Sequence, residues 1–168
     1  MVSLVLFSFE LRYNFLMNKP LNNHGGTRFA NSSLSDAAHS SGYSNTELTK
    51  KLGYNTSETS YFVNPPKEYL RMIGVDSKPL GTQTHYDFIH AFYSSKNDLA
   101  SAASDHVQKL DQKGMLWISW PKKSQKVIQS DITEQDLRDI FLPLGVVDVK
   151  VCAVTDVWSG LKFVWRKK

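Results

Sequence analysis

Gly114-Met115-Leu116-Trp117-Ile118-Ser119-Trp120-Pro121-Lys122-Lys123 is a strand-like run that meets a proline and then two cations. From Met115 to Trp120 the run is almost unbroken in apolar character. That is the composition of an interior strand covered on both faces, as in a parallel sheet between helical layers.

Working back from this strand, Lys113-Gly114 reads as the end of a helix that Ser95 and Asp98 start. Its Leu99, Ala103, Val107 and Leu110 recur at helical spacing. Before it, Tyr86 to Tyr93 is a second strand, and Val75 to Leu80 a weak extended piece. Tyr61-Phe62-Val63 is a short strand that stops at Asn64-Pro65-Pro66, with Asn64 expected to cap the next helix and Pro65 to fill its first turn. Tyr69, Leu70 and Ile73 are that helix's packing residues. Downstream, Thr133 to Asp136 reads as a cap opening a helix that turns Leu137, Ile140 and Phe141 inward, before Pro143 and Gly145 close it. Val146 to Val154 and Leu161 to Trp165 follow. The connection Thr155 to Gly160 is short enough to force an antiparallel hairpin.

The expected fold is therefore α/β: a Rossmann-like three-layer sandwich, with a mostly parallel sheet, right-handed crossover helices and an antiparallel C-terminal hairpin. A chain of 168 residues with 41% apolar side chains supports one core. The domain is placed at 43–168, behind a flexible arm at 1–42 that is dense in Asn, Ser, Gly and Ala. Ser44 and Glu47 form a capping-box signature for a short helix ending at Gly53. Met17 offers a second start beside Met1.

The formal charge is +4, and Lys162, Arg166, Lys167 and Lys168 account for it. A neutral body with a basic tail predicts weak, salt-sensitive attraction to nucleic acid rather than a binding groove. Cys152 is the only cysteine, which rules out an intrachain disulfide and fits a reducing cytoplasm. The apolar start, Met1 to Phe7, is interrupted by Glu10 and Arg12 well short of the roughly 18 residues a membrane span needs. The five histidines, His24, His39, His85, His90 and His106, have no metal-ligand spacing, so neither a metal nor a cofactor is expected. His90 and His106 are read as satisfied tautomers at the core boundary, and Asp87 with His90 as lying on opposite faces of one strand.

Open α/β sheets place ligands at the carboxyl ends of their parallel strands. Asn64 follows one such end; Tyr93, Ser94 and Ser95 follow another; Trp120, Lys122 and Lys123 follow a third. Together they suggest a pocket for a planar or anionic ligand, with Trp120 as a stacking face and the lysines as charge partners. The alternative is that Trp120 covers a sheet edge and the lysines are solvated. Trp158 either overhangs a pocket or partner surface, or folds back on its own core. Asp148, Lys150 and Cys152 are placed on one strand face by their period-two spacing, with Cys152 a structural thiol because no base lies near it in order.

Three stretches, Gly42 to Gly53, Gly114 to Lys123, and Gly145 to Leu161, closely resemble the DUF3052 family of small bacterial proteins. The resemblance covers roughly residues 42 to 166 and implies no activity, substrate or catalytic residue. The order of elements from Asp87 to Trp165 is also similar to the later half of class I S-adenosylmethionine-dependent methyltransferases. Those enzymes carry a glycine-rich turn after their first strand. Here that turn is Asn64-Pro65-Pro66, and its two prolines remove the amides that close wrapping of a cofactor would use.

The leading functional reading is a noncatalytic ligand- or protein-binding, regulatory module, dimeric in one form of the reading. The alternative is a small-molecule enzyme of methyltransferase-like fold with a divergent cofactor site. A nucleic-acid adaptor comes third, and needs Lys122, Lys123, Lys167 and Lys168 in one patch.

Overall fold

The computed structural model describes residues 48–75 and 82–167. The arm at 1–42, the capping signature at Ser44 and Glu47, and all but the first residue of the extended piece read at Val75 to Leu80 lie outside them. In chain order the elements are α1 (Leu48–Leu52), β1 (Ser60–Val63), α2 (Lys67–Met72), β2 (Tyr86–Phe92), α3 (Lys96–Gln108), β3 (Leu110–Pro121), α4 (Glu134–Phe141), a single 3-10 turn (Leu142–Leu144), β4 (Val146–Ala153) and β5 (Trp158–Trp165).

The five strands form one sheet in the order β1-β2-β3-β5-β4. β1, β2 and β3 pair in parallel, and β5 pairs antiparallel with both β3 and β4. Alternation along the strands sorts the core into two layers. Ile89, Ala91, Leu116, Ile118, Leu161 and Phe163 pack beneath Leu99 and Val107 of α3 and Leu137 and Phe141 of α4. Phe62, Phe88, Phe92 and Trp117 pack against Leu48 and Leu52 of α1 and Tyr69 and Ile73 on and just after α2. The three-layer Rossmann-like sandwich expected from sequence is the observed architecture, and β3 is buried on both faces from Leu116 to Pro121. Among the described residues no helix is long and apolar enough to cross a membrane.

The local signals acted as their chemistry dictates at α3 and α4. Ser95 accepts a hydrogen bond from the Asp98 amide, and Thr133 and Asp136 complete a reciprocal capping box. Gly53 and Gly145 leave their helical turns with φ of 70° and 94°, a conformation that glycine adopts without steric cost.

Four expectations need correction. First, α3 does not run to Lys113-Gly114. It stops at Gln108, and Leu110 already pairs with Tyr86 as the first residue of β3. The next pairing is Phe88 with Met115, so residues 111–114 bulge out against Asp87 alone. Gly114 permits this close approach: a Cβ there would lie 2.8 Å from the Tyr86 carbonyl oxygen. Second, Asn64 caps nothing. It is exposed and left-handed (φ 49°), and the N-cap position of α2 belongs to Pro66, with no side-chain hydrogen bond. Third, Trp158, Ser159 and Gly160 are in β5 rather than in the hairpin loop, because they pair with Pro121, Trp120 and Ser119 of β3. Fourth, the Asp148-Lys150-Cys152 row does not form. Asp148 stands opposite Phe163 and Lys150 opposite Lys162, so Val149 is an inserted residue that breaks the period of two. Asp148 consequently reaches Arg138 of α4 at 2.9 Å, whereas Lys150 donates to the Lys51 carbonyl of α1 at 2.7 Å, on the other face.

Candidate functional site

Beyond the carboxyl ends of β2 and β3 lies a cleft of about 790 Å³ walled by Ser94 and Ser95 on one side, Pro121, Lys122 and Lys123 on another, and the loop from Gln125 to Asp131. The loop is laced to the start of α3: Asp131 Oδ1 accepts from the Lys96 amide at 2.8 Å, and the Asp131 amide donates to the Ser94 carbonyl at 3.4 Å. The helix N-terminus, where unpaired amides attract anions, thus already holds this carboxylate. Lys96 in turn pairs with Asp136 at 2.6 Å. The hydrogen bonds from Lys96 and Thr133 hold the Asp136 carboxyl down, at about 2.

Lys122 is tied to the β4–β5 turn. Its amide donates to the Val157 carbonyl and its Nζ to the Thr155 carbonyl, both at 2.8 Å. Lys123 and Lys126 are exposed on the cleft wall. The structure therefore brings Ser94, Ser95, Lys122 and Lys123 together, as strand-end reasoning expects.

The other candidates are elsewhere. Trp120 and Tyr93 are buried in the layer beneath α3 and α4, where Tyr93 Oη meets His106 Nε2 at 2.8 Å; neither walls the cleft. Both belong to the alternating set of β2 and β3 residues that faces away from α1 and α2. Asn64 Nδ2 donates to the Phe92 carbonyl at 3.4 Å, and Asn64 is not part of the cleft wall. Trp158 is 7% exposed and edge-on to Phe92 with centroids 5.2 Å apart, so it packs on its own core.

A second, smaller cleft of about 410 Å³ lies near the start of β1 and β2, lined by Tyr54, Tyr86, Glu58 and the hydroxyl-bearing Thr56, Ser57, Thr59 and Ser60. Beside it, Asp87 and Thr59 clip the two strands. Asp87 Oδ2 accepts from the Thr59 amide and hydroxyl at 3.0 and 2.6 Å, and these bonds keep its carboxyl below the usual range. Asp87 and His90 do not meet.

One constellation was not visible from sequence. Tyr69 Oη lies 2.6 Å from His90 Nδ1, and His90 Nε2 lies 2.7 Å from Ser119 Oγ, so a serine, an imidazole and a phenol form a continuous relay. In order it resembles a nucleophile, its base and an orienting group. Its position denies it that chemistry: His90 and Ser119 have no exposed surface, and neither cleft is walled by any of the three. Burial lowers the His90 pKa to about 3 and raises that of Tyr69, which keeps both neutral. In either neutral tautomer one ring nitrogen donates and the other accepts, so Tyr69 and Ser119 satisfy both nitrogens that His90 buries. His106 is the contrasting case. Burial lowers its pKa to about 4, and its Nδ1 has no partner among the described residues.

Among the described residues no three His, Cys, Asp or Glu side chains gather in a way that would hold a metal ion. Burial also raises the Cys152 thiol pKa, against the pull of Lys150, Lys51 and Lys122.

No protein-family model matches the chain, so the DUF3052 resemblance gains no support, and no curated protein matches it. Similar solved structures include magnesium protoporphyrin IX methyltransferase from Synechocystis with bound SAM, at 14% identity over 60% of this chain and 52% of that one (TM-score 0.42). Ribosomal protein L11 methylase from Lactobacillus delbrueckii is similar at 14% identity over 60% and 51% (TM-score 0.39). The PH0226 protein of Pyrococcus horikoshii is similar at 9% over 71% and 75% (TM-score 0.39). The chain spans about half the length of the two methyltransferases. Likeness at this level carries no argument about activity or cofactor.

Proposed function

We propose that this protein is a noncatalytic binding module for a small polar or anionic molecule held at the carboxyl ends of β2 and β3. The observation that carries this reading is the make-up of the cleft there. Lysines, amides and hydroxyls line it, its one carboxylate, Asp131, is committed to the α3 backbone, and the imidazoles of His90 and His106 are buried in the core away from it. Such a wall binds and orients, and it lacks a paired nucleophile and base. The test is a metabolite screen by native mass spectrometry, followed by calorimetry on the Lys123→Ala/Lys126→Ala variant. A hit that weakens about tenfold or more in the variant supports the reading. Unchanged affinity in the folded variant removes it.

A second reading is favoured by the strand order, in which an antiparallel β5 lies between β3 and β4 after three parallel strands. It makes the protein a small-molecule enzyme of methyltransferase-like architecture with a divergent cofactor site. The cofactor would lie against the Asn64-Pro65-Pro66 turn, which offers one left-handed residue and no glycine. Saturable S-adenosylmethionine binding that Asn64→Ala weakens supports this reading, and absence of binding sinks it. Kinship with the DUF3052 family, a cytoplasmic location and self-association are expectations from the sequence on which neither reading depends.

A further inference from the structure

The bulge at Val149 turns Lys150 toward α1, and the strand register then sets it beside a second cation. Lys150 stands opposite Lys162 on β5, and Lys162 stands opposite Trp117 on β3. One row of side chains, Trp117-Lys162-Lys150, therefore crosses three strands beneath the end of α1. Trp117 Nε1 donates to the Leu52 carbonyl at 3.0 Å, and Lys150 Nζ to the Lys51 carbonyl at 2.7 Å. Between them, Lys162 Nζ lies 3.9 Å from the point where a Cβ on Gly53 would stand.

Like charges directly opposite on neighbouring strands are destabilising. Lys162 shows the cost: burial first, and Lys150 second, pull its ammonium pKa below the ordinary value, with Glu58 acting the other way. Lys51 and Lys122 belong to the same field, since with Lys150 they act on the Cys152 thiol. The carbonyls ending α1 account for the position of Lys150, because cations are favoured at helix C-termini. They do not account for Lys162. α1 has only five residues, two of them, Lys50 and Lys51, themselves cations in its last turn.

We propose that the Lys150-Lys162 pair is a seat for a phosphate oxyanion. A phosphate dianion beside two ammoniums on adjacent strands offsets both charges, where a single carboxylate such as Glu58 offsets one. Lysine is a point-charge donor suited to phosphate. Neither lysine walls the cleft at the carboxyl ends of β2 and β3, and the proposal does not depend on what that cleft binds.

The experiment is calorimetric titration of the full chain at constant ionic strength with pyrophosphate and, in a parallel arm, a short single-stranded oligonucleotide. The expected result is saturable binding that Lys162→Met and Lys150→Gln each weaken about tenfold or more, while Lys109→Met, at the far end of α3, leaves it unchanged. Alkylation of Cys152 gives a second readout: anion binding cancels the local positive field and slows the reaction. If Lys162→Met does not fold, Lys150→Gln decides, because Lys150 is exposed. Pyrophosphate binding assigns a small phosphorylated ligand, and oligonucleotide binding alone, lost in the same variants, assigns a nucleic-acid backbone. Binding of neither, or binding indifferent to both substitutions, overturns the proposal.

Discussion

Acidification from pH 7.5 to 5.0 is expected to remove about 4 kcal/mol of folding stability through two buried imidazoles. In the folded chain burial lowers the His90 pKa from 6.5 to about 3 and that of His106 to about 4, so both stay neutral at pH 5. In the unfolded chain each takes up a proton near pH 6.5. The unfolded state then binds more protons, and stability falls with pH below 6.5 until the folded values are reached. At pH 5 each group is about 1.5 units below its unfolded pKa, and at 1.36 kcal/mol per unit that is about 2 kcal/mol each. Small domains have about 5–15 kcal/mol in total, so the loss is a large fraction of the whole. Urea unfolding followed by tryptophan fluorescence at the two pH values measures it, with the slope on urea unchanged. Asp87 and Asp136 act in the same direction only at lower pH, because their lowered pKa values pass stability to the protein above the usual carboxylate range. His106→Gln should keep a partner for Tyr93 and cut the loss to about 2 kcal/mol. Equal stability at pH 7.5 and 5.0, or a full loss retained in His106→Gln, refutes the reasoning.

Other outcomes follow from single contacts. Ser119→Ala leaves His90 Nε2 without its 2.7 Å partner in a fully buried site, and should cost about 1–3 kcal/mol by thermal or urea unfolding. Gly114→Ala puts a methyl 2.8 Å from the Tyr86 carbonyl oxygen. It should destabilise by about 1–3 kcal/mol, with faster hydrogen exchange at the amides pairing β2 with β3. Thr133→Ala removes the side-chain half of the α4 capping box and should cost about 1 kcal/mol, seen as a lower urea midpoint with the same slope.

Local chemistry was legible at several helix ends, although the cap read at Asn64 and the helix end read at Gly114 did not form. Ser95 with Asp98, Thr133 with Asp136, and the glycines at 53 and 145 mark helix ends because a cap acts over three residues. The apolar run from Met115 to Trp120 declared an interior strand by composition alone, and with it the layered α/β architecture. The approach of Ser94 and Ser95 to Lys122 and Lys123 was legible too, since parallel strands deliver their carboxyl ends to one edge.

Register was not legible, and register decided the rest. The bulge opposite Asp87 and the extra residue at Val149 are features of pairing between strands, and the one at Val149 reverses which face the following side chains take. That reversal separated Asp148 from Lys150 and set Lys150 against Lys162. The alignment of β2 with β3 likewise put Ser119 beside His90, and the packing of α2 brought Tyr69 onto the same imidazole. The sequence by itself determined the layered α/β architecture and the type of most segments, because propensity, capping and hydrophobic period are local, but it misplaced the end of α3 and the start of β5, which strand pairing sets. Which side chains meet across the sheet, and which face the two clefts, only the tertiary structure decided, because one inserted residue in a strand exchanges core for surface.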